Sequence, residues 1–108
     1  MGLTVNRYDT GKDGSARAFA KEMTESGIVA AVRAEDGCER YEYFFPMEDE
    51  ETVLLIDSWE NQQALDIHHS SPMMKKIIEL REKYDLHMKV ERYISEDSVS
   101  GDEKYIRK

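Results

Sequence analysis

Two runs in the middle of the chain constrain its fold most: Arg40 to Phe45 and Thr52 to Ser58, separated by the acidic link Pro46-Met-Glu-Asp-Glu-Glu51. Both runs are rich in β-branched and aromatic residues, and the link carries turn chemistry, so together they read as an antiparallel hairpin with an exposed loop. Alternation places Tyr41, Tyr43 and Phe45 on one face and Phe44 on the other, while Val53 and Leu55 oppose Leu54 and Ile56. Both faces of the hairpin are therefore apolar. An antiparallel sheet packed by helices on one side normally has a wetter second face. The second face is accordingly expected to meet another copy of the same sheet through a two-fold contact.

The flanking segments complete a pattern. Leu3 to Tyr8 has strand composition and ends at the turn residues Thr10-Gly-Lys-Asp-Gly14. From Ser15, Ala16, Phe19, Ala20 and Met23 recur at helical spacing until Gly27, which predicts an amphipathic helix of about three turns. Ile28 to Ala34 reads as a second short helical piece closed by Asp36-Gly37. Ser71 followed by Pro72 is a helix start, and Met73, Met74, Ile77, Ile78, Leu80 and Tyr84 make one broad apolar face. In the last strand Leu86, Met88, Val90, Arg92 and Ile94 alternate with His87, Lys89, Glu91 and Tyr93. The order is β-α-β-β-α-β, an α+β ferredoxin-like arrangement with an antiparallel sheet. Residues 1–95 are read as one domain and 96–108 as a polar tail or arm.

A chain of 108 residues allows one domain, which buries only about two-thirds of the surface its unfolded chain exposes, so association is expected to help stabilise it. The formal charge of −8 repels phosphate backbones and anionic lipid surfaces, which argues against nucleic acid or membrane as the partner and for a small molecule or a protein. Cys38 is the single cysteine. That excludes an intrachain disulfide, a cysteine zinc site and a CxxC redox motif, and fits a reducing cytoplasm. No signal segment and no apolar run near the ~20 residues of a membrane span are present.

Chemistry is expected between Asp57 and Met73. A strand ends there in Trp59, and a short helix then carries Ala64, Leu65, His68 and His69. At about 100° per residue, His68 projects into the inward arc defined by Ala64 and Leu65, and His69 lies at its edge. His68 is thus a candidate for proton handling, since imidazole titrates near neutrality; the alternative is a buried structural histidine. Trp59 either lines a cavity and orients a substrate oxygen through its N–H or fills the core. Tyr41 and Tyr43 present hydroxyls to a substrate or pack the sheet, and Met73, Met74 and Met88 suit an adaptable pocket wall or the core. His87 reads as a solvated or interface residue. Adjacent histidines diverge on a helix, so a shared metal is not expected. Phosphate loops, HExxH and GxSxG are all missing from the sequence.

The wording Ser-Trp-x-x-x-x-Ala-Leu-x-x-His-x-x-x-Pro, from Ser58 to Pro72, resembles the antibiotic biosynthesis monooxygenase (ABM) domain family, and the resemblance extends over roughly residues 2 to 95. It implies a ferredoxin-like chain that pairs sheet to sheet into a dimeric α/β barrel and oxidises quinol-like, aromatic or enolisable compounds with dioxygen and no bound cofactor. It also implies that His68 occupies the position of the family's histidine, and that Asn6 matches an asparagine some members place at the pocket, where an amide would hold a developing oxyanion. Haem-degrading relatives carry an axial histidine one helical segment later; here that region is Met74-Lys-Lys-Ile-Ile78, and many relatives have a histidine where this chain has Met73. Two other functions share such a fold: a non-redox isomerase of a small carbonyl metabolite, and a non-catalytic ligand-binding dimer.

Overall fold

Local signals start and stop the elements in the computed structural model, which describes residues 2–94 and 101–107. Strand β1 (Leu3–Thr10) ends at the predicted glycine turn, and helix α1 (Ser15–Glu25) buries Ala16, Phe19, Ala20 and Met23, the residues its periodicity picked out. Helix α2 (Ile28–Arg33) follows directly. Gly37 then turns the chain into β2 (Cys38–Phe44) with φ of 81°, a conformation that favours glycine. A Cβ on Gly37 would also stand 2.6 Å from that of Ala64, so the turn seats the start of α3 closely. Strand β3 (Thr52–Trp59) leads into α3 (Gln62–His69), whose first turn is capped by the Asn61 side chain accepting from the Ala64 N–H at 2.9 Å. Ser71 and Pro72 open α4 (Pro72–Lys83) as expected, and β4 (His87–Ile94) closes the sheet.

The four strands are antiparallel neighbours in the order β2-β3-β1-β4, the ferredoxin-like topology predicted. Pairing of Val5 with Asp57 and Arg92, and of Arg7 with Leu55 and Val90, fixes which residues share a face. Leu3, Val5, Arg7 and Asp9 of β1 look toward the helices, together with Val53, Leu55, Asp57 and Trp59 of β3. Strand β2 begins two residues earlier than predicted and stops at Phe44, with a register shift between Cys38 and Arg40 that takes up the extra length. Phe45 lies past the strand end, where the Arg17 guanidinium covers its ring at 4.5 Å.

The core lies between the sheet and α1, α2 and α3. Helix α4 departs from its single broad apolar face: Ile77 is buried, Met73, Leu80 and Tyr84 are packed against the core, and Ile78 is exposed. The reason is placement, since α4 packs on the other helices and leaves the helix-facing side of β4 largely uncovered. Met88 and Val90 therefore keep 42% and 46% of their surface exposed. A groove runs between α4 and β4 as a result. The predicted boundary at residue 95 falls outside the described residues. Of the predicted tail, residues 101–107 carry a 3₁₀ turn at Glu103–Tyr105. No helix among the described residues is long and apolar enough to cross a membrane.

Candidate functional site

Inward positions on a half-buried sheet ordinarily carry apolar residues, and here two adjacent strands put charges there instead. Arg7 on β1 and Asp57 on β3 have the same parity as Val5 and Leu55. The Arg7 Nε lies 3.5 Å from Asp57 Oδ1, and Trp59 Nε1 donates to Asp57 Oδ2 at 3.2 Å. Asp57 is 1% exposed, so its charge is offset by one cation and one indole N–H. A second inward pair lies one step along β1: Arg81 of α4 donates to both oxygens of the fully buried Asp9, at 3.2 and 3.4 Å. Burial pushes the Asp9 carboxyl upward, and the Arg81 charge pulls it back part of the way.

The guanidinium of Arg7 also reaches α3. Its Nη2 stands 3.3 Å from His69 Nε2. Guanidinium nitrogens only donate, so this ring nitrogen accepts, and the neutral imidazole carries its proton on Nδ1. Partial burial lowers the His69 pKa below its ordinary 6.5, and the Arg7 and His68 charges lower it further. His69 is consequently a neutral base at physiological pH.

The groove between α4 and β4 has a volume of about 430 Å³ and is lined by Arg7, Met74, Ile78, Arg81, Leu86 and Met88, with Glu82 and Asp85 along its α4 side. Past Met74 and Ile78 it adjoins a hollow that His69 and Ser71 border. It combines apolar walls, an arginine floor and a histidine at one end, which is the composition of a small-molecule site.

The structure separates the residues expected from sequence. His68 points inward, as the helical projection predicts, but it is 3% exposed: its Nδ1 lies 2.7 Å from Glu35 Oε2 and its ring stacks on Trp59, centroids 4.7 Å apart. Trp59 is wholly buried. Tyr41 sets its ring edge against His68 and Tyr43, and burial lifts its hydroxyl to about 12. Tyr43 packs on Phe19, its hydroxyl also raised well above the ordinary value by burial and by Tyr41. Both stay protonated phenols. Tyr41 also borders a separate surface hollow with Arg33 and Cys38. Met74 lines the groove and Met73 packs on the core. Asn6 is not brought to these residues: it pairs with Ile56 and Glu91 on the opposite face of the sheet. His87 is exposed on that face of β4. Among the described residues no three His, Cys, Asp or Glu side chains gather as metal ligands.

Sequence reasoning missed Arg7, the Asp57 carboxylate, and the pairs Glu35–His68 and Asp9–Arg81, and it placed His69 at the edge of the inward arc, second to His68. A signal existed for the first two, because opposite charges at inward parity on strands one and three announce a buried pair. The Glu35–His68 pair spans 33 residues and depends on where the turn after α2 stands against α3, so no local pattern encodes it.

Residues 1–80 match the family model described as antibiotic biosynthesis monooxygenase. The chain belongs to that family. Solved structures similar to this ABM protein include a candidate antibiotic biosynthesis monooxygenase from Deinococcus radiodurans, at TM-score 0.77 and 19% identity over 93% of this chain and 97% of that one. A Pseudomonas aeruginosa protein superposes at TM-score 0.74 with 25% identity, over 87% and 93% of the two chains. A Mycobacterium tuberculosis protein does so at 0.71 with 21% identity, over 93% and 100%. No curated protein sequence matches the chain. The ABM match ends inside α4, so the strand that forms one wall of the groove lies beyond the matched residues.

Proposed function

We propose that this ABM-family protein is a cofactor-independent monooxygenase that acts, as a homodimer, on a quinol-like, aromatic or enolisable small molecule in the groove between α4 and β4. The observation that carries the reading is the contact between Arg7 and a neutral His69 beside an apolar groove, within a fold of this family. In the proposed reaction the substrate displaces the Arg7 N–H from His69 Nε2, and that nitrogen takes a proton from an acidic hydroxyl or from a methylene next to a carbonyl. Arg7 stabilises the resulting phenolate or enolate. That anion supplies the electrons to dioxygen, a C–O bond forms, and protonation gives a hydroperoxide. Loss of water from the hydroperoxide leaves a ketone or quinone, so one oxygen atom enters the product and the other leaves in water.

A second assignment of the base is favoured by the 2.7 Å contact between His68 Nδ1 and Glu35 Oε2, since a carboxylate so placed orients the imidazole. In that version His68 handles the proton and its burial keeps water out. Turnover by His68 and His69 variants separates the two. The function itself is tested by oxygen uptake against a panel of quinols and enolisable ketones, with product oxygen traced from ¹⁸O₂. Turnover of a carbonyl substrate without oxygen uptake would favour the isomerase. Tight binding with no turnover would favour a ligand-binding dimer.

A further inference from the structure

We infer that substrate is anchored in this groove by the outer edge of the Arg7 guanidinium, so that the ligand is a flat, largely apolar molecule carrying one anionic oxygen group. The inference rests on the site assignment above and adds the chemistry of what fills it. A guanidinium offers five N–H donors in a rigid fork. In Arg7 the Nε faces Asp57, one Nη2 hydrogen points to His69, and among the described residues Nη1 meets the thioether sulfur of Met88 at 4.0 Å. A thioether is a weak acceptor. Asp57 thus matches the guanidinium from its Nε side, while the edge formed by Nη1 and Nη2 meets no oxygen among the described residues, on a side chain that is 13% exposed and borders the groove. Charge-assisted hydrogen bonds made at such a partly dry position are stronger than in open water.

The remaining walls define the rest of the ligand. Met74 and Ile78 on α4 face Met88 on β4, and polarizable thioethers pack well against ring faces. The other charges orient the molecule. Arg81 is matched by Asp9, whereas Glu82 and Asp85 lie toward the C-terminal end of α4 and repel an anion there. The oxygen group therefore belongs at the Arg7–His69 end, with the apolar body along Met74 and Ile78.

The test uses the intact chain with ¹³C-labelled methionine methyls and matched probes: 2-naphthoate against 2-naphthamide, and 2-hydroxy-1,4-naphthoquinone, ionised at neutral pH, against its methyl ether. In each pair the anion should bind about tenfold or more tightly than its neutral partner, the scale of one charged hydrogen bond. It should shift the Met74 and Met88 methyls and leave the buried Met23 and the remote Met47 unmoved. Arg7→Gln should bring each pair to equal affinity; if that variant does not fold, the two wild-type pairs decide alone. Equal affinities within the wild-type pairs, no binding of either anion at millimolar concentration, or shifts that bypass Met74 and Met88 would overturn the inference. Oxygen uptake on a neutral quinol without anion preference would defeat this anchor and leave the monooxygenase standing, whereas anion preference without oxygen uptake would do the reverse.

Discussion

Two neighbouring histidines in one short helix have opposite environments, and on the proposed reading that difference sets which one meets a substrate. His68 is enclosed by Trp59, Tyr41 and Glu35, while His69 borders a hollow adjoining the groove and accepts from Arg7. His69→Ala should therefore lower turnover by about 10²-fold or more, the usual scale for losing a general base, with the fold intact by circular dichroism. Because burial and Arg7 hold the His69 pKa below 6.5, the wild-type rate should rise with pH along a limb centred below that value, and the limb should vanish in His69→Ala. His68→Ala should act mainly through stability, since it leaves a cavity beside Trp59 and strips Glu35 of its partner. A wild-type pH profile in His69→Ala, with the limb lost in His68→Ala instead, would move the base to His68. The inward projection of His68 was legible from helical angles alone. Its enclosure was not, because Glu35 comes from the turn after α2 in a distant part of the chain, and an angle carries no information about what stands at its end.

At the scale of elements, the sequence made the strands and α1 readable because apolar residues recur near a period of two in the hairpin and 3.6 in the helix, although β4 is exposed along nearly its whole length. Strand β1 breaks its own pattern with Arg7 and Asp9 at inward positions, and α4 with Ile78, and these exceptions mark the groove. Asn6 could have been set apart by the same alternation, since it follows the inward Val5 by one residue. The Asp9–Arg81 pair fastens α4 to the sheet across 72 residues. Removing one member of a buried ion pair typically costs about 3–5 kcal/mol, so Arg81→Met should lower unfolding free energy in urea by roughly that amount. The sign of the pH dependence follows from the raised Asp9 carboxyl: an unfolded Asp releases its proton first, near 3.8, so the native state binds the extra proton. The contribution of Asp9 is present in acid and declines as pH rises through its native value. In Arg81→Met the native carboxyl titrates higher still, so the decline should extend to higher pH, and Asp9→Asn should abolish it in both backgrounds. An Arg81→Met variant as stable as wild type would show that the pair contributes little to holding α4.

For the whole molecule, the open question is what covers the face of the sheet turned away from the helices. Strand register arranges that face in rows: Phe44, Leu54, Tyr8 and Lys89 in one, Glu42, Ile56, Asn6 and Glu91 in the next. Phe44 is partly exposed, Leu54 and Ile56 are half-buried, and the buried side-chain oxygen of Asn6 has no hydrogen-bond partner among the described residues. An apolar row beside an unmatched acceptor is poorly served by water and well served by a second protein surface. A two-fold contact would place each copy's Phe44–Leu54–Tyr8 row against its partner and offer Asn6 a donor. Phe45 is the wrong aromatic to probe, since it lies past the end of β2 beneath Arg17. Phe44→Glu and Leu54→Glu are the informative variants. Each would bury a carboxylate in the contact without touching the helix-facing core, so each chain should keep its far-UV spectrum. In sedimentation equilibrium at micromolar concentration the wild type should run at twice 12.6 kDa, and Leu54→Glu, at the centre of the row, at the single-chain mass. A wild type that stays a single chain at that concentration would remove the dimer, and with it the account of why both faces of this hairpin are apolar.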